Sequence, residues 1–136
     1  MCSKTIPFLE KSSFDFTYLG NGETGTVILV PGIDVTPYYR VGLHIRIHSI
    51  QMTSTQTITF ELDNSLPSAD DPAEFIGTSL TTLVIDEADS APSLVSTSTT
   101  GLGAGLRVQV TAQQLSAGGG TPLFVEMSGV LVLRAF

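Results

Sequence analysis

The stretch Tyr39-Arg40-Val41-Gly42-Leu43-His44-Ile45-Arg46-Ile47 decides the fold. Every odd position is apolar. Every even position is polar or glycine, and His48 continues the phase. Alternation with period 2 over about ten residues describes a β-strand with one buried face and one solvated face. The same phase places Arg40, His44, Arg46 and His48 together on the solvated side.

Outward from this strand, the pattern recurs. Phe14, Phe16 and Tyr18 alternate with Asp15 and Thr17, which predicts a first strand. Thr26–Val30 reads as a short buried strand ended by Pro31-Gly32, with a loop over 33–37. The alternation slips at Ser49-Ile50, which predicts a bulge. Thr57–Leu62, Leu80–Ile85, Leu94–Thr99, Leu106–Ala112 and Leu123–Leu133 complete the set. Between them lie an Asn64–Glu74 loop, an acidic turn at Asp86–Pro92, a glycine-rich connection at Gly101–Gly105 and a Gly118–Gly120 turn. About eight strands with no helical period imply an all-β antiparallel sandwich. The long connection after residue 62 favours Greek-key crossing, and so a jelly-roll-like arrangement with Leu43, Ile45, Phe60, Val108 and Leu131 in its core.

The chain has 136 residues, a length suited to one domain with its own core. The expected division is an N-terminal arm over 1–13, which lacks alternation, and one β-sandwich domain over 14–136. Ile6, Phe8 and Leu9 are the apolar residues with which that arm would clasp a neighbour. Cys2 is the only cysteine, so no internal disulfide forms. The start of the chain has no secretory signal pattern, and no apolar run approaches the ~18 residues of a membrane helix. The expectation is a protein made in the cytoplasm.

Charged residues make up only 14% of the chain, against roughly 25% in ordinary globular domains. Serine and threonine fill the polar positions instead. Such a surface is buried against copies of itself at low desolvation cost; a monomer with a threonine-rich β surface is the simpler alternative. Net charge is −7, which makes nucleic acid a poor partner, because phosphate contacts need clustered Lys and Arg. The charge is also uneven. Residues 61–89 hold eight acids and no base, whereas 38–60 hold Arg40 and Arg46 and no acid. Opposite-sign patches on one chain suit head-to-tail contacts between copies.

No residue set reads as an active site. His44 and His48 are four apart, and on a strand that separates them by roughly 13 Å, too far to share a metal. They read as surface or interface residues. Asp70-Asp71 and Asp86-Glu87-Ala88-Asp89 lack the spacing of a calcium loop and read as solvated acidic turns. Gly101-Leu-Gly-Ala-Gly105 has misplaced glycines for a dinucleotide loop, and a strand follows it rather than a helix. No G-x-S-x-G elbow occurs. The expectation is no catalytic residue, no metal and no cofactor. The interface candidates are Ile6, Phe8, Leu9, Arg40, His44, Arg46 and His48.

The closing segment Thr121-Pro-Leu-Phe-Val-Glu-Met-Ser-Gly-Val-Leu-Val-Leu133, with Ser-Gly inside a final apolar strand, resembles the last strand of C1q/TNF-like trimeric jelly rolls. As a short, acidic, all-β module without signal or catalytic pattern, the chain also resembles structural proteins of tailed phages, of the capsid decoration or cement type. That resemblance implies a non-enzymatic virion subunit assembled in the host cytoplasm. Its partners would be copies of itself, as in a trimer, and other structural proteins of the particle, with no direct nucleic acid and no membrane. The alternative is a carbohydrate- or ligand-binding β-sandwich module. The absence of Trp and the presence of only three Tyr count against it, because sugar faces stack on aromatics.

Overall fold

The computed structural model describes residues 3–35, 38–53, 55–65, 79–89, 91–102, 105–114 and 121–135. They form eight strands: β1 (Ser3–Asp15), β2 (Thr24–Asp34), β3 (Arg40–Gln51), β4 (Gln56–Ser65), β5 (Ser79–Ile85), β6 (Ser93–Thr100), β7 (Gly105–Gln114) and β8 (Phe124–Arg134). Two four-stranded antiparallel sheets stack as a sandwich, in the orders β1-β8-β3-β6 and β2-β7-β4-β5. Consecutive strands alternate between the sheets, except β4 and β5, which pair as neighbours. This crossing pattern is the jelly roll.

Alternation predicts the core well. Val41, Leu43, Ile45 and Ile47 on β3 are fully buried, facing Ile58, Phe60 and Leu62 on β4. Leu106, Val108, Val110 and Ala112 on β7, and Val125, Met127, Leu131 and Leu133 on β8, close the layer. Each fully buried Leu, Ile or Phe contributes about 1.5–3 kcal/mol. The slip expected at Ser49-Ile50 appears as a register shift between Ile47 and Ser49 against β8.

Four boundaries differ from expectation. Residues 3–13 are not an arm outside the sandwich. They belong to β1, an edge strand paired to β8 from Ser3↔Arg134 to Asp15↔Phe124. Register shifts between Ile6 and Leu9, and between Leu9 and Ser12, break the period and conceal the strand. Pro7 falls in the first shift, on an edge, where a missing N–H costs no ladder bond. The strand expected over Phe14–Tyr18 instead ends at Asp15, whose Oδ1 accepts the Thr17 N–H at 3.0 Å and starts a turn. β2 does not stop at Pro31. After a register shift between Val30 and Ile33, pairing with β7 resumes at Ile33↔Leu106, so Ile33 and Asp34 are strand rather than loop. Asn64 is likewise strand. Cys2, Asp70, Asp71, Glu74 and the Gly118–Gly120 turn lie outside the described residues.

Two polar groups sit where the core ends. Gln56 and Gln114 oppose each other across β4 and β7, both fully buried. Gln56 Oε1 accepts the Thr53 N–H at 2.8 Å, while neither amide atom of Gln114 has a hydrogen-bond partner among the described residues. On the same sheet, Arg107 donates through Nε and Nη2 to Oδ2 of the buried Asp63, at 3.2 and 2.9 Å.

Candidate functional site: the outer face of the β1-β8-β3-β6 sheet

β3 supplies the chemistry of this face. Its inward set is apolar, so its outward set, Arg40, Gly42, His44, Arg46 and His48, projects on the side away from the core. β8 lies on one flank and β6 on the other. Register then fixes the neighbours. Arg40 stands opposite Arg134 on β8 and Thr100 on β6. Gly42 stands between Val132 and Ser98, and Arg46 between Ser128 and Leu94.

Two concavities result. One, of about 200 Å³, is lined by Arg40, Gly42, His44, Ser98, Val132 and Arg134. Gly42 forms its floor. A Cβ on residue 42 would stand 3.0 Å from His44 Nε2, so the imidazole leans back across the glycine toward the arginine end. The second, of about 330 Å³, runs from His44 and Arg46 past Leu94 and Ser128 to Pro7 and Leu9 on β1. It is mainly apolar, and Leu94 on its rim is 68% exposed.

The predicted site residues divide between these positions. Arg40 and His44 share the first concavity, and His44 and Arg46 share the second. His48 stands apart, with Nε2 2.9 Å from Ser128 Oγ. Among the described residues no carboxylate bonds to either imidazole, and no group of three His, Cys, Asp or Glu side chains is placed to hold a metal. Ile6 and Phe8 pack half-buried against the core of their own sandwich, and Leu9 is buried. The apolar side chains expected to clasp a neighbour are therefore used within the chain.

Sequence reasoning missed Arg134 and Ser98, which only strand register brings to Arg40 and His44. The sole hint for Arg134 was its position, one residue past the inward-facing Leu133. The electrostatics are one-sided. Of the four arginines, Arg40, Arg46 and Arg134 lie on this face. The fourth, Arg107, is neutralised by Asp63 on the other sheet. Glu126 also lies on this sheet, but it pairs with Lys11 at 3.6 Å, near the opposite end of β8. The acidic Asp86–Asp89 turn is closed on itself. Asp86 Oδ1 accepts the Ala88 N–H at 2.9 Å and Asp89 Oδ2 accepts the Asp86 N–H at 3.0 Å.

No protein-family model matches the sequence, and no curated protein matches it. The fold does have solved counterparts. The chain is similar to VP2 of infectious bursal disease virus in a subviral particle, with a TM-score of 0.66 at 13% identity, over 98% of this chain and 33% of that one. It is similar to the same virus's T13 particle structure, with a TM-score of 0.60 at 11% identity, over 98% of this chain and 31% of that one. The chain thus spans about a third of the length of the capsid protein chains it matches. A carbohydrate-binding module, the C-terminal CBM6 of LamC from Zobellia galactanivorans, aligns with a TM-score of 0.44 at 15% identity, over 98% of this chain and all of that one. At these identities the likeness is one of fold, shared with a viral capsid protein.

Proposed function

We propose that this chain is a non-enzymatic structural subunit of a virion-like particle, of the capsid decoration or minor capsid type, that packs against copies of itself and other particle proteins. The observation that carries the reading is the jelly-roll order β1-β8-β3-β6 over β2-β7-β4-β5, aligned over nearly the whole chain with a protein that forms subviral particles. The surface supports it. β6 presents Ser96, Ser98 and Thr100 outward beside an exposed Leu94, and such hydroxyl-rich strands are covered by a neighbour at little desolvation cost. The role of tailed-phage decoration protein extends the same reading, on the basis of the short acidic module.

Sedimentation velocity on the purified full chain, with negative-stain microscopy of the same fractions, tests it. Defined oligomers or particles are the expected result. A strict monomer at all concentrations that binds soluble glycans would overturn it in favour of a carbohydrate-binding module.

A further inference from the structure

We propose that the concavity bounded by Arg40, His44, Ser98 and Arg134 is a binding site for a single oxyanion: a carboxylate, phosphate or sulfate group. It stands whether or not the chain builds particles.

The first argument is the pairing itself. Arg40 and Arg134 are directly opposed across β3 and β8 and both project outward. Like charges in directly opposed positions of an antiparallel pair repel. A like-charged pair is usually relieved by a nearby acid, yet the ion pairs among the described residues are Lys11–Glu126 and Arg107–Asp63, neither of which reaches these two guanidiniums. An anion between them turns a repulsive pair into a clamp.

The second argument is the donor set. A guanidinium offers a planar fork that matches a carboxylate or phosphate edge with two parallel N–H bonds, and two forks side by side serve one tetrahedral or trigonal oxyanion. Ser98 adds a hydroxyl from β6, and His44 adds a ring nitrogen from the far wall. Gly42, having no side chain, lets the His44 imidazole lean across the floor toward the arginine end, which brings Nε2 into the donor set. The space, about 200 Å³, is several times the ~30 Å³ share of one water molecule. It admits a small anion or one acidic side chain.

The oxyanion has two possible sources: free in solution, or a carboxylate on a second copy. Glu87 is the natural candidate for the second. It is exposed on the Asp86–Asp89 turn, and its carboxylate is absent from the hydrogen bonds that close that turn. That turn joins β5 to β6 beyond Ser93, which pairs with Ile47, whereas the site lies at Arg40 on the same strand. Seven residues of strand put them roughly 23 Å apart, so Glu87 reaches such a site only on another molecule.

The test uses the ¹⁵N-labelled full chain at fixed ionic strength in chloride. Inorganic phosphate, sulfate and acetate are titrated in separately. Saturable shifts centred on Gly42, His44 and Ser98 are expected from at least one of them. Arg40→Gln and Arg134→Gln should each weaken binding at least tenfold, while Lys11→Gln, near the opposite end of β8, leaves it unchanged. Should a variant fail to fold, the wild-type titration still decides. Sedimentation without added oxyanion separates the sources. Association abolished by phosphate, by Arg134→Gln and by Glu87→Gln identifies a neighbour's carboxylate. A monomer that still binds phosphate identifies a free anion. Shifts that never saturate, or that are the same in wild type and both arginine variants, overturn the site.

Discussion

Phe8 on β1 rests on Gly129 of β8 so closely that no side chain fits beneath it. A Cβ on residue 129 would stand 2.8 Å from Phe8 Cζ and 2.7 Å from Ile45 Cδ1. The glycine of the closing strand is thus the seat for a ring from the opening strand. Gly129→Ala should destabilise by about 1–3 kcal/mol, the usual cost of overpacking a filled core. Phe8→Leu in the same chain should recover part of that loss, because the shorter side chain vacates the contact. Urea denaturation of the two single variants and the double variant measures the coupling. Strict additivity would show that Phe8 and Gly129 do not meet.

The Asp63–Arg107 pair makes a second, asymmetric prediction. Asp63 is 1% exposed and its Oδ1 has no hydrogen-bond partner among the described residues. Arg107→Met strands a buried carboxylate and should cost about 3–5 kcal/mol. Replacing both residues, as Asp63→Leu with Arg107→Met, should cost much less, since no charge is then left unpaired. Equilibrium unfolding at neutral pH checks the order. A double variant less stable than Arg107→Met would refute it.

Glu61 neighbours this pair and responds to it. The Asp63 carboxyl two residues along the strand, reinforced by partial burial, raises its carboxyl above the ordinary 4.5. The fold therefore favours protonated Glu61. That contribution is complete below the ordinary value and is lost as pH rises through the higher folded value. Glu61→Gln removes this dependence, so the difference in stability between variant and wild type should shift in the variant's favour from pH 4 to pH 7. Melting curves across that window read it out. An unchanged difference would show that Asp63 does not raise the Glu61 carboxyl.

Much of this architecture was legible because β3, β7 and β8 keep strict phase against a one-sided core. From Val41 to Ile47 and from Leu106 to Ala112, each inward residue is apolar, and a one-residue slip would reverse both faces. β1 was illegible for the opposite reason. Its bulges on either side of Leu9 put Ile6, Phe8 and Leu9 out of any constant period. At the candidate site, alternation on one strand is enough to gather Arg40 and His44. Bringing Arg134 to Arg40 requires the β3–β8 register, which joins residues 94 positions apart in sequence, and local pattern holds no record of such a pairing.

Gln114 offers a position where polarity is dispensable. Its amide is fully buried and unpartnered among the described residues, and an unsatisfied buried polar group costs about 1–3 kcal/mol. Gln114→Met keeps the length and removes the amide. It should be neutral or stabilising by about 1 kcal/mol. A loss of stability on thermal melting would reveal a partner for the amide and restore its structural role.

The edge strand gives the most decisive prediction. An arm that only clasped a neighbour could be deleted without unfolding the sandwich. β1, however, pairs along the length of β8, and Ile6, Phe8 and Leu9 pack into the same core as Ile45 and Met127. Removing residues 2–12 takes away those apolar contacts and exposes the long apolar edge of β8, a template for aggregation. Ile6 and Phe8, although only half-buried, together with Leu9 contribute several kcal/mol on the scale of about 25 cal/mol per Å² buried, comparable to the whole stability of a marginal domain. The truncated chain should therefore lose its cooperative melting transition and aggregate. A peptide of residues 1–16 added in trans should restore it in part, by strand addition to β8. Circular dichroism melts of the truncated chain, with and without the peptide, decide the matter. A truncated protein that melts cooperatively near the wild-type temperature would return β1 to the status of a detachable arm.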